Sequence, residues 1–247
     1  MIGFTSVSLR KYSMEEVADA AAKAHADYIE WGSDIHVKTP ADAEKAKKLC
    51  DENGIVIRAY GTYYRIGSFD RAAWTNLCEC ASIMGAKTLR TWLGTKGSKI
   101  TSQKEYEKLL EDARLCCDEA AKYGLTVSNE CHHDTYNDET EASLRFLADI
   151  GRENMKTYYQ SWYRDEPGDK DKLSRLFPYV TDVHISFSEM EKFQLLHKKD
   201  KEFINKILSW LKALAFTGGL TIEFTKGDKA ENLIADIERL RSLWQTM

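Results

Sequence analysis

The chain has 247 residues, 43% of them hydrophobic and 30% charged, with 14 Gly and 3 Pro, which excludes a disordered, collagenous or low-complexity protein. Lys plus Arg is 35 against 39 Asp plus Glu, a net charge of −4, so the basic balance that phosphate neutralisation needs is missing and nucleic acid is not an expected partner. No apolar run approaches the 18 or so residues of a membrane span, and Met1 to Arg10 lack a basic stretch leading into an apolar core; the expectation is a soluble, cytoplasmic protein with no membrane partner.

In chain order, β-rich runs at 2–8, 27–31, 55–60, 87–92, 126–130, 155–160, 180–185 and 220–224 alternate with helical patterns at 14–25, 40–52, 70–84, 102–122, 139–149, 169–176, 201–214 and 229–244. Helix starts are written at Ser13-Met-Glu-Glu16 and Ser102-Gln-Lys-Glu105, which read as capping boxes, and at Thr39-Pro40. Gly54, Gly85, Gly124 and Gly151 each follow a helical pattern as left-handed stops. Six cysteines without a C-x-x-C pair read as small buried hydrophobes, with no disulfide or structural zinc.

Eight consecutive βα units fit a (β/α)8 barrel or a doubly wound open sheet, and Ile2–Tyr12, with a single glycine at Gly3, lacks the glycine-rich turn that follows the first strand of a dinucleotide-binding sheet. The predicted fold is one TIM-barrel domain over residues 1–247. The longest irregular stretches all follow strands, at the end where barrel active sites sit.

Alternation along each strand sorts its side chains. If Glu130 points inward, so do Ser128 and Thr126; His184 brings Asp182, Glu223 brings Thr221, and Gln160 brings Tyr158. The outward partners Val127, Val183, Ile185 and Ile222 are apolar, as packing against helices demands. Glu130, Gln160, His184 and Glu223 then end four consecutive strands and converge on one volume. Two carboxylates, an imidazole and an amide oxygen suit a divalent ion, and such an ion would offset the cost of burying two glutamates. Around them, Trp31, Tyr60, Tyr63, Tyr64, Trp92 and Trp162 stand at or beyond strand ends, where a sugar ring could stack. Arg65, Arg90 and Arg164 could hold hydroxyls or a carboxylate, or neutralise acids in the site. His132 and His133 follow Glu130 as substrate-binding or acid/base candidates, and Glu30 ends the second strand as a hydrogen-bonding group.

The segments Ile2-Gly3-Phe4, Tyr28-Ile-Glu-Trp31, Tyr60-Gly-Thr-Tyr-Tyr64, Gly85-Ala-Lys-Thr-Leu-Arg90, Asn129-Glu-Cys-His-His133, Asp182-Val-His184 and Thr221-Ile-Glu-Phe224 resemble, in order and strand placement, the xylose isomerase-like TIM-barrel superfamily. The resemblance covers nearly the whole chain. It implies a metal-dependent sugar isomerase or epimerase, with Mn, Mg, Zn or Co held by Glu130, Gln160, His184 and Glu223. It also implies that Glu130 and Glu223 exchange the proton next to a carbonyl through an enediolate. Gln160 stands where the family has Asp, and Tyr163 and Ser186 stand where many relatives have His and Lys. A lyase that expels a β-hydroxyl from the same enediolate is the second reading, and a non-catalytic carbohydrate-binding subunit is the third. Abasic-site DNA repair, known in the same superfamily, would need a His-rich multi-metal cluster and a basic groove. The expected partner is a small carbohydrate, and a homo-oligomer is left open.

Overall fold

The computed structural model describes residues 1–160, 166–187 and 200–247. Eight parallel strands, β1 (Ile2–Thr5), β2 (Tyr28–Gly32), β3 (Val56–Ile66), β4 (Thr88–Leu93), β5 (Thr126–Glu130), β6 (Met155–Tyr159), β7 (Val180–Ile185) and β8 (Gly219–Ile222), pair in sequence order and close as β8 meets β1. The strands are followed by helices α1 (Met14–Lys23), α2 (Pro40–Glu52), α3 (Arg71–Met84), α4 (Gln103–Ala121), α5 (Thr140–Asp149), α6 (Glu166–Leu176), α7 (Asp200–Ala213) and α8 (Ala230–Thr246). This is a single (β/α)8 TIM barrel.

The local signals act as written. Ser13 with Glu16 and Ser102 with Glu105 form reciprocal capping boxes, and Thr39 makes the same arrangement with Asp42 ahead of Pro40. Gly54, Gly85, Gly124 and Gly151 all have φ between 61° and 75°. A Cβ there would meet nothing within 4 Å, so backbone conformation rather than space calls for glycine.

Between sheet and helices lies the apolar core. Ile29, Val127, Val183 and Ile222 on the outward strand faces are 0% exposed. On α4 the stripe Leu109, Ala113, Cys116, Cys117 and Ala120 is buried, and each enclosed Leu or Ile contributes roughly 2 kcal/mol. All six cysteines are buried and free, and burial pushes the Cys50 thiol up to about 11. Among the described residues no helix is long and apolar enough to cross a membrane.

Two boundaries differ from the sequence reading. The first strand stops at Thr5, because residues Ser6–Leu9 coil into a 3₁₀ turn whose Ser6 hydroxyl accepts from the Gly32 amide at 2.9 Å. The third strand runs past Tyr60 to Ile66, since Arg65 and Ile66 resume pairing with Trp92 and Leu93 beyond an irregularity at Gly61. The barrel wall is thereby taller on the β3–β4 side.

Candidate active site

Strand parity places Arg90, Glu130 and His184 inside the barrel near its C-terminal end, with Glu223 in the residue after β8. His184 Nδ1 lies 3.1 Å from Glu130 Oε1 and 3.3 Å from Glu223 Oε2. Ligand-capable atoms of Glu130, His184 and Glu223 all fall within 4.8 Å of one another, and all three residues are buried. Gln160, just past β6, donates its amide N–H to Glu223 Oε2 at 2.6 Å. Its Oε1 is buried without a hydrogen bond among the described residues.

A second group of charges braces these. Arg90, 1% exposed, donates from Nε to Glu30 Oε1 at 2.9 Å and pairs through Nη1 with Glu130 Oε2. Trp92 Nε1 donates to that same Glu130 oxygen at 2.7 Å. Burial alone would raise the Glu30 carboxyl, but Arg90 and His184 hold it down at about 2. Glu130 is likewise buried yet held well below the usual carboxylate range by Arg90 and His184. His184 goes the other way: burial would lower it, but Glu223, Glu130 and Glu30 draw it well above its ordinary value. A volume walled by that many carboxylates favours positive charge, supplied by a proton on His184 or by a cation among the oxygens.

The backbone makes room for this arrangement at two places. A Cβ on Gly61 would stand 2.6 Å from Glu30 Oε1 and 3.0 Å from Arg90 Nη2, so only glycine lets β3 pass the pair. Phe224, immediately after Glu223, has φ +59°, a conformation that costs a non-glycine residue of order 1 kcal/mol. Its amide donates to the buried Ser8 hydroxyl at 2.9 Å, which ties the turn that aims Glu223 to the segment after β1.

The aromatic residues expected at the site separate into two sets. Tyr63 and Trp92 meet edge to face at 5.2 Å, His132 leans on Trp92 at 5.2 Å, and His133 stacks on His132 at 4.3 Å. Arg65 covers the Trp92 ring at 4.3 Å. Trp31 and Tyr60, by contrast, are 0% exposed and belong to the core between sheet and helices, where Tyr60 donates to the Val37 carbonyl at 2.6 Å and Trp31 packs edge-on to His36. Neither reaches the cluster. Trp162 and Arg164 lie outside the described residues. Sequence reasoning passed over Arg10, Asp34 and Ser8: Arg10 pairs with Asp34 at 2.5 Å and donates to the Tyr63 hydroxyl at 2.6 Å. A local signal could not have found them, since they act from a 3₁₀ turn and a loop that read as strand and connector.

Whether a divalent ion fits is answered by the donors. Glu130, His184 and Glu223 supply two anionic oxygens and an imidazole within one coordination sphere, and the orphaned Gln160 oxygen is a neutral fourth. The residues fit a hard or borderline divalent ion.

Comparisons with known proteins agree with the fold. The family model described as xylose isomerase-like TIM barrel matches residues 18–243. A 3-dehydroshikimate dehydratase of Bacillus anthracis is 26% identical over 177 residues, 68% of this chain, and the match spans 62% of that relative's length. Among solved structures, the probable 3-DHS dehydratase AsbF of Bacillus anthracis superposes with a TM-score of 0.81 at 16% identity, covering 97% of this chain and 98% of that one. D-psicose 3-epimerase of Clostridium cellulolyticum H10, solved with D-tagatose, gives 0.79 at 13% identity, covering 98% and 99%. With a family model matched along most of its length and the same closed barrel, this chain belongs to the xylose isomerase-like TIM barrel family.

Proposed function

We propose that this protein is a divalent-metal-dependent sugar isomerase or epimerase that moves a proton on the carbon next to a carbonyl. The observation that carries the reading is the convergence of Glu130, His184 and Glu223 within 4.8 Å, with the unsatisfied Gln160 oxygen beside them. A divalent ion held by these four residues would polarise a substrate carbonyl and acidify the adjacent C–H.

The chain's own residues divide the remaining work. Glu130 has both oxygens engaged, by Arg90 and Trp92 on one and His184 on the other, so it is fixed in place and weakly basic. Glu223 receives Gln160 and His184 on Oε2, which leaves Oε1 without a hydrogen bond among the described residues. Glu223 is the carboxylate that takes the proton, and Glu130 becomes its counterpart only when substrate displaces Arg90. Arg90 and Trp92 then stand ready to donate to negative charge developing on the enediolate oxygens. Tyr63, Trp92 and His132 form an aromatic wall against which a sugar ring can lie.

One observation favours a second reading on the same site. Of the two glutamates in the cluster, Glu223 alone keeps an oxygen without a hydrogen bond among the described residues, and one base suffices for elimination. The dehydratase relative, named for acting on 3-dehydroshikimate, supports a lyase.

The test is a single incubation in D2O of Mn2+-loaded enzyme with candidate ketoses and hydroxy ketones. Deuterium should enter the carbon next to the carbonyl of a rearranged sugar, and Glu223→Gln should slow its entry by about 10²-fold or more, as loss of a general base does. A dehydrated product would install the second reading. No exchange and no product, with Mn2+ bound, would overturn both.

A further inference from the structure

The two ring nitrogens of His184 meet different acids. Nδ1 lies among the ligand-capable oxygens, 3.1 Å from Glu130 Oε1 and 3.3 Å from Glu223 Oε2. Nε2 lies 3.7 Å from Glu30 Oε2, an ion-pair contact rather than a hydrogen bond. Both Nε2 and that Glu30 oxygen are buried, and neither has a hydrogen bond among the described residues. Two orphaned atoms of opposite character thus stand side by side.

Glu30 is fixed in this position. It is 0% exposed on β2, and its other oxygen, Oε1, accepts from Arg90 Nε at 2.9 Å. Arg90 is enclosed as well, so the carboxylate keeps its charge out of water. The missing side chain of Gly61 leaves room for it, since a Cβ there would stand 2.6 Å from Oε1. The imidazole is constrained in turn: the Tyr158 ring, 0% exposed, meets it edge to face at 5.2 Å.

A ring nitrogen binds a cation through its lone pair, so it must be the one without the proton. Here that nitrogen is Nδ1, the one among the oxygens of Glu130 and Glu223, and the proton of the neutral ring then belongs on Nε2, beside Glu30. A carboxylate next to the N–H of a metal-binding imidazole fixes its tautomer and makes the opposite nitrogen a better donor. The mutually close ligand atoms come from Glu130, His184 and Glu223 and leave Glu30 out, so Glu30 reaches the ion site through the ring.

We infer that Glu30 is a positioning residue of the metal site, which holds His184 in the Nε2–H tautomer and so presents the Nδ1 lone pair to a divalent ion. This rests on the metal-site reading above, and the experiment separates the two. Arg90 offers a competing route, because it joins Glu30 to Glu130, and a double-mutant cycle distinguishes the routes.

Mn2+ is titrated calorimetrically into wild type, Glu30→Gln, His184→Asn and the double variant. Gln offers one acceptor oxygen to two donors, Arg90 Nε and His184 Nε2, so Glu30→Gln should weaken Mn2+ binding by about 10- to 100-fold, the scale of losing an outer partner of a metal-bound histidine. The Asn amide can stand in for Nδ1 but has no atom in the Nε2 position, so adding Glu30→Gln to His184→Asn should weaken binding no further. Equal Mn2+ affinity in wild type and Glu30→Gln overturns the inference. The full loss repeated in the His184→Asn background overturns it too, by routing Glu30 through Arg90 or making it a ligand itself. Should Glu30→Gln fail to fold, wild type decides. With Zn2+ bound, long-range proton–nitrogen correlations of isotope-labelled histidine should place the His184 proton on Nε2, the signal being identified by its loss in His184→Asn, and a proton on Nδ1 overturns the inference. Wild type that takes up neither Mn2+ nor Zn2+ overturns the metal-site reading, and the inference with it.

Discussion

The barrel interior holds two buried polar layers, and they are built to different rules. At the floor, Arg58 meets Asp182 at 2.5 Å and donates to the Thr181 carbonyl, while Tyr28 shares a 2.7 Å hydrogen bond with Thr221. One acid faces one base. At the mouth, among the described residues, the carboxylates of Glu30, Glu130 and Glu223 are paired with one guanidinium, that of Arg90, and with the His184 imidazole. The carboxyl groups respond in opposite directions. Burial raises Asp182, and Arg58, whose side chain is 24% exposed and screened by water, does not overcome it. Glu30 and Glu130 are buried as deeply, yet Arg90, itself 1% exposed, lowers them both. A polar barrel interior is therefore no sign of a site by itself. Excess negative charge held by a fully enclosed cation is what distinguishes the mouth.

The largest way to break this contrast is steric. A Cβ at Gly219 would fall 2.1 Å from Asp182 Oδ1 and 2.6 Å from both Arg58 Nε and the Tyr28 hydroxyl. Gly219→Ala should cost about 3 kcal/mol, a fall in Tm of roughly 6–12 °C for a chain of this size, with Mn2+ affinity of the folded protein unchanged. Loss of Mn2+ binding at temperatures where the variant is folded would show that the two layers are one unit.

Titration comes next. In chelator, Glu30, with its folded pKa below the usual 4.5, contributes stability that is complete above that value and lost as pH falls toward about 2. Asp182 has a folded pKa raised above 3.8, so its contribution is present at lower pH and lost as pH rises through the folded value. Urea midpoints between pH 3 and 6 should accordingly lose part of their acid-side fall in Glu30→Gln, by about 2 kcal/mol across the window. In Asp182→Asn the fall should steepen. Shifts of the same sign in both variants would refute the contrast.

The smallest effect sharpens the mouth itself. Ser8→Ala removes the acceptor of the Phe224 amide and loosens the strained turn that aims Glu223. We expect a loss of about 1 kcal/mol in stability and up to tenfold in kcat, with KM little moved. Unchanged kcat beside the stability loss would confine Ser8 to a structural role.

Periodicity and parity carried most of the architecture. Glu130, His184 and Glu223 could be placed together because side chains alternate along a strand and the strands of a barrel follow chain order. Trp31 and Tyr60 show the limit of that reading. They stand at strand ends as Trp92 does, but Trp31 has the opposite parity to Glu30, and the irregularity at Gly61 separates Tyr60 from the inward-facing Tyr63.

What the sequence by itself determined is set by short-range physics: capping hydroxyls, left-handed glycines, apolar stripes and the two-residue repeat of a strand act over a few residues and can be read in order. Only the tertiary structure decided which charges are paired. Arg90 serves two acids on β2 and β5, Arg10 is neutralised by Asp34, and Arg65 lies over Trp92 with no carboxylate partner among the described residues. Such pairings depend on distances between residues 24 to 60 positions apart in the chain, and on how fully each partner is removed from water, which exist only once the barrel has closed.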